Sequence, residues 1–144
     1  MDTSDQPSAP EQISSTAIPI AQLSPDFDRL QHSSIHAVVT LLWPYSSFTR
    51  SLTLLLAEPD FRLRRSNGQV KVSFHGDAAE EVARTHIGIG DTVNLKLAGS
   101  RLAENDAVAQ TPGKGVSWDV HFDSSAFLEV ILGNAPLTIG NVLT

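Results

Sequence analysis

Residues 33–59 read SSIHAVVTLLWPYSSFTRSLTLLLAEP. In the first half Ile35, Ala37, Val39, Leu41 and Trp43 recur at every second position, with His36, Val38, Thr40 and Leu42 between them. A period of two is that of a pleated strand, and apolar residues on both parities towards its end imply burial on both faces. Pro44-Tyr-Ser-Ser47 breaks the run. A second strand follows over about Phe48–Glu58, with Leu52, Leu54 and Leu56 on one parity and Ser51, Thr53 and Leu55 on the other. Pro59-Asp60 stops it.

Working outward, Phe61 to Gly68 is a basic loop with an Asn-Gly turn signal. Gln69–His75 alternates as a third strand, Val70, Val72 and Phe74 facing one way and Lys71, Ser73 and His75 the other. Asp77 is placed to cap a short helix over Ala78–Thr85. Gly88-Ile-Gly-Asp91 leads into a fourth strand, Thr92–Leu97, and residues 98–115 form a long polar loop. A fifth strand, Val116–Phe122, puts Val116, Trp118, Val120 and Phe122 on one face. Before this core, Ser24 and Pro25 suggest one helical turn towards Leu30. After it comes an apolar piece, Phe127–Leu132, and the C-terminal stretch Phe127–Leu143 is suited to a sixth strand, a helix across the barrel's end or a partner-docking segment. Three strands, a helix and two strands is the element order of a five-stranded OB barrel, an all-β Greek-key fold with its helix between strands three and four. Closure also removes the exposed edges of so small a sheet. The expected organisation is a disordered tail over residues 1–16, the barrel over residues 17–132, and a tail or truncated linker over residues 133–144.

The 144 residues are 41% apolar and 18% charged, which predicts one folded domain. The absence of cysteine excludes a disulfide scaffold, thiolate metal sites and thiol catalysis. No apolar run nears the roughly 20 residues of a membrane helix. The acidic, polar start resembles neither a signal nor a transit peptide, so an intracellular protein is expected. The net charge of −6 is unevenly spread. Residues 1–32 hold one basic and five acidic side chains, net −4. Residues 33–101 hold eight and six, net +2, and residues 102–144 one and five, net −4. The positive charge is central, where a groove for an anion would need it.

Residues about 33–131 resemble the telomeric single-stranded-DNA-binding OB domain of the protection-of-telomeres family in its fungal form. The likeness is carried by His36–Trp43, Arg50–Pro59, Val70–Gly76, Ile89-Gly-Asp-Thr-Val93 and, most tellingly, Val116-Ser-Trp-Asp-Val-His-Phe122 after a long loop. It implies binding of G-rich single-stranded telomeric DNA in the nucleus, at the chromosome telomere, alongside the proteins of a shelterin-like end-protection complex. It implies no catalysis, cofactor or membrane. The alternative is an OB module that binds proteins of such a complex without touching DNA. Here the first strand lacks a glycine at which to curve, so closure requires a bulge near Thr40 or at Pro44.

Single-strand binding needs flat side chains for stacking and cations along the phosphates. The first loop supplies Tyr45, Phe48 and Arg50, the next Phe61, Arg62, Arg64 and Arg65, and the outward parity of the third strand Lys71 and His75. Phe48 and Phe61 could instead plug the barrel, and the arginine cluster could pair with Glu58 and Asp60. Trp43 and Trp118 lie on apolar parity and are expected in the core. Three to five phosphate contacts would give a log–log salt slope of about −2 to −3.5. No hydrolase elbow or His-Glu-x-x-His spacing occurs, Gly88-Ile-Gly90 reads as a turn, and His75 with His121 is a two-residue set without a third metal ligand.

Overall fold

The computed structural model describes residues 16–64, 67–104, 115–132 and 135–138. Among these residues nine strands form one sheet: β1 (Thr16–Ala17), β2 (Ser33–Ser46), β3 (Ser51–Ala57), β4 (Gln69–His75), β5 (Thr92–Lys96), β6 (Ser100–Glu104), β7 (Gly115–Phe122), β8 (Phe127–Leu132) and β9 (Ala135–Thr138). Helix α1 (Phe61–Arg64) is a single turn, and α2 (Asp77–Ala83) lies between β4 and β5. Eight strands run in the order β9-β8-β5-β2-β3-β4-β7-β6, and β1 pairs in parallel with the start of β2. All pairs along the path are antiparallel except β4–β7.

The all-β expectation holds, and all five expected strands are present. The closed five-stranded barrel does not hold. The outer edge of β5 is occupied by β8, Thr92 to Lys96 facing Ile131 to Phe127, so no ladder joins β5 to β7. The sheet is nevertheless not flat. From β5 through β2, β3, β4 and β7 to β6 is five strand spacings, about 24 Å if flat. Leu97, Ala98 and Gly99 alone connect Lys96 to Ser100, a reach of about 14 Å at most. The sheet must therefore curl. Gly99 turns the chain at φ +84°, and Ser100 N–H donates to the Leu97 carbonyl at 3.0 Å. This turn splits the segment expected to be a strand and a loop into two strands, one on each flank of the roll.

The curvature of β2 comes from the two expected places. Its register against β3 shifts between Val39 and Leu41 and again between Trp43 and Ser46. At the first shift Thr40 Oγ1 donates to the Leu55 carbonyl at 3.1 Å, and Val39 exchanges backbone bonds with Gly90 and Asp91. The strand thus continues through Pro44 to Ser46 instead of ending there. The bulge also reverses facing. Val39 is fully buried opposite Leu56, but between Thr40 and the second shift the odd positions turn to the outer face, so Leu41 stands beside Leu55 and Trp43 beside Thr53 there; past the second shift Tyr45 packs on the core again.

Inside the roll, Leu54, Leu56, Val72 and Phe74 meet Ile35, Leu95, Val120 and Phe122 in one core, with the Phe74 and Phe122 rings stacked at 5.4 Å. Residues 18–32 close this core with Ile20, Leu23 and Leu30. Two short 3-10 turns, Ile20–Gln22 and Leu30–His32, stand here in place of the expected α-turn, and Ser24 Oγ accepts from Asp26 N–H in a tight turn. The buried Glu58 carboxylate accepts the Ile20 N–H at 2.7 Å. Asp77 is the first residue of α2, not its cap; Gly76 takes that place at φ +61°. Of the stretch Phe127–Leu143, the described parts are strands, β8 and β9, one of the three forms considered; residues 133–134 and 139–143 lie outside the described residues. Most of the expected N-terminal tail lies outside the described residues, and β9 falls within the expected C-terminal tail.

Replacing Glu58 by Leu leaves the buried Ile20 N–H unpaired and is expected to lower unfolding stability by about 1–3 kcal/mol in urea titration. An unchanged midpoint would show that residues 18–32 do not depend on this bond.

Candidate nucleic-acid interface

The expected site residues do not gather into one furrow. Phe48 and Arg50 sit in the β2–β3 turn; Phe61, Arg62 and Arg64 sit at the far end of the β3–β4 hairpin. The seven residues of β3 between them span about 20 Å. Phe48 and Phe61 are 94% and 72% exposed, so neither plugs the barrel. Tyr45, expected to be open, is half-buried against the core and its hydroxyl donates to Glu80 Oε2 at 3.3 Å. The proline before it does not leave it free, because the strand carries on through that turn.

The arginines are largely neutralised. Arg50, at φ +53°, donates to Glu80 Oε2 at 3.1 Å and Asp77 Oδ1 at 3.5 Å on α2. Arg62 grips both oxygens of Asp60, whose carboxyl these bonds hold below the ordinary range. Arg64 Nε donates to the Glu58 carbonyl at 2.5 Å, and its guanidinium lies 4.2 Å from the Phe61 ring centroid. Arg65 lies outside the described residues. Of these contacts, the Arg62–Asp60 pair is the one weighed from sequence as the alternative to phosphate binding; Arg50 finds its carboxylates on α2, and Arg64 reaches the backbone of Glu58, not its carboxylate.

A different set converges at mid-sheet, on the outer face of β2, β3, β4 and β7. Register places Trp43, Thr53, Ser73 and His121 in one row across these strands, with Leu55, Lys71 and Asp119 in the row on one side and Ser51 and His75 in the row on the other. Thr53 and Ser73 are short, and their hydroxyls bond at 3.0 Å. They make a low floor between larger side chains. Trp43, expected in the core, is 45% exposed on this face, and Lys71 Nζ lies 5.3 Å from its ring centroid. Opposite, the rings of His75 and His121 stack at 5.2 Å with Nε2 and Nδ1 at 2.9 Å. Trp118 keeps its expected place, packed against the core.

Burial, then the neighbouring Arg101 and His75, push His121 below the usual histidine range, against the pull of Asp119 and Asp123. Arg101 is held by both oxygens of Asp123 at 2.9 Å, which draws that carboxyl down. Among the described residues no three His, Asp or Glu side chains stand close enough to hold a metal ion.

Trp43, Asp119 and Arg101 were not among the residues expected at the site. The sequence held part of the signal for Trp43: of the two places expected for a bulge, Thr40 and Pro44, only one before Trp43 turns it outward.

The chain belongs to the DUF8502 family, described as a domain of unknown function, which matches residues 14–138. That span extends past the barrel limits expected from sequence at both ends. No curated protein and no solved structure matches the chain.

A histidine whose folded pKa lies below its unfolded value contributes stability that is complete above about pH 6.5 and is lost as pH falls below it. Unfolding midpoints of the native chain should therefore fall on acidification from about pH 6.5, and His121→Gln should flatten that decline. Parallel curves for the two proteins would assign the decline elsewhere.

Proposed function

We propose that the chain is a non-enzymatic, OB-type module that binds single-stranded G-rich telomeric DNA across the outer face of β2, β3, β4 and β7. The five strands, the helix after the third and the parallel pairing of third with fifth support an OB-type core inside the larger sheet. The observation that carries the reading is the low Thr53–Ser73 floor with flat rings on both sides, an exposed Trp43 beneath Lys71 and the stacked His75–His121 pair. Base stacking is tolerant of sequence and contributes about 1–3 kcal/mol per base. Nuclear localisation at telomeres and companionship with end-protection proteins belong to the same proposal.

In this form stacking rests on Trp43, not on Tyr45, while Phe48 and Phe61 extend the track at either end. Arg50 and Arg62 must leave carboxylates to reach phosphate, so the salt slope should be shallower than −2. A second reading, an end-complex protein-binding module without DNA contact, draws on those same paired arginines and on the two exposed phenylalanines as apolar contacts for a partner.

Fluorescence anisotropy of a labelled G-rich telomeric single strand tests the proposal. Trp43→Ala should weaken binding by roughly 5- to 100-fold with little change in thermal midpoint, and the duplex form should compete poorly. An unaltered affinity in this variant counts against Trp43 as the stacking platform, and no binding by the native chain counts against DNA and in favour of the second reading.

A further inference from the structure

Lys71 stands between two possible partners and holds only one of them. Its ammonium lies 5.3 Å from the Trp43 ring centroid. To reach that ring from β4 the side chain crosses β3, because Trp43 pairs with Thr53 and Thr53 with Ser73. On its other side Asp119 of β7 is the direct partner of Lys71 in the parallel ladder. The ammonium is turned away from that carboxylate, and no hydrogen bond or salt bridge joins the two. Asp119 Oδ1 is shielded from solvent and has no hydrogen-bond partner. Ala103, opposite Asp119 on β6, offers no side-chain donor, and Arg101 is engaged by Asp123. Burial pushes the Asp119 carboxyl up from its ordinary value, with Lys71 and His121 opposing.

We infer that Asp119 is a positioning residue that receives the Lys71 ammonium when a base takes its place on Trp43. The inference rests on the DNA-binding reading above and adds the fate of the cation that covers the stacking ring. A base and an ammonium cannot share one face of the indole, so stacking on the covered face displaces Lys71. In the free chain the ammonium over an exposed ring keeps most of its water, and its attraction to the ring is modest. Moving against the shielded carboxylate would strip that water, so the indole holds it. A stacked base changes both sides of this balance: it takes the ring face and excludes water from the ammonium beside it. An ammonium without water needs an acceptor, and a shielded carboxylate without a partner needs a donor. Adjacent strands are about 4.8 Å apart, within the swing of a four-carbon stem. Pairing of Lys71 with Asp119 satisfies both groups and leaves the indole to the base. The exchange asks only for a flat ring and is indifferent to which base supplies it.

The exchange predicts an effect opposite in sign to simple charge. Removing a carboxylate from a surface that meets a polyanion should tighten binding. Here Asp119→Asn should instead weaken binding of the same labelled single strand, by roughly three- to tenfold in anisotropy, because Lys71 then has nowhere to go. In Lys71→Ala the indole is uncovered from the start, so adding Asp119→Asn to that variant should cause no further weakening. Proton NMR reads the movement itself. In the free native chain the Lys71 ε-methylene should show Overhauser contacts to the Trp43 ring, and saturation with the strand should replace them with contacts to the Asp119 β-methylene. Tighter binding by Asp119→Asn, a weakening that persists in the Lys71→Ala background, or Lys71–Trp43 contacts that survive saturation overturns the exchange and leaves single-strand binding standing. Failure of the native chain to bind the strand overturns the DNA-binding reading, and the exchange with it.

Discussion

Three residues, Leu97 to Gly99, tie together two strands that stand on opposite flanks of a six-strand ribbon, and that tether is shorter than the ribbon is wide. The sheet has to roll, and the rest of the molecule follows from how it does so. Twist alone does not bend a long strand enough, so β2 kinks twice, at Thr40 and around Pro44. The roll needs its open end covered, which residues 18–32 do with three apolar side chains and a backbone bond to Glu58. The strip remains open in its hydrogen bonding because β8 takes the edge of β5 that a closed barrel would have given to β7.

The same kink links fold to surface. Had β2 kept the register of Val39 with Leu56, Trp43 would stand opposite Leu52, on the core side with Phe74; one extra residue turns it to the outside, over the Thr53–Ser73 floor and under Lys71. A bulge that bends the sheet thereby re-aims an indole towards whatever lies on that face. The charges on this protein follow a related economy of position. Its acidic residues are not merely an excess to be averaged: Glu80, Asp77, Asp60 and Asp123 each occupy a guanidinium. Exposed pairs of this kind are weak because water and salt screen them, so they are better understood as setting which cations are already engaged than as holding the fold together.

The strands of the core were legible in the chain because a buried sheet needs period two, and Val70-Val72-Phe74 and Val116-Trp118-Val120-Phe122 keep it without interruption. The outward facing of Lys71 and His75 was legible for the same reason. β6 was not, since Ser100–Glu104 is short, polar and only half-buried, and a strand at the edge of a sheet carries little apolar pattern. Tyr45 was misjudged because a proline beforehand marks a turn in sequence, whereas here an irregular strand passes through it and seats the ring on the core.

Sequence by itself determined the five strands of the core, the two places where the long one bends, and the outward parity of β4 and β7, because alternation is a local property of a pleated chain. Only the tertiary structure decided that the sheet stays unclosed, that Trp43 lies outside, that His75 meets His121, and that Lys71 and Asp119 stand together unpaired. Each of those depends on which strands become neighbours and in what register. That choice is made by burial summed over the whole sheet, and no single stretch of residues records it.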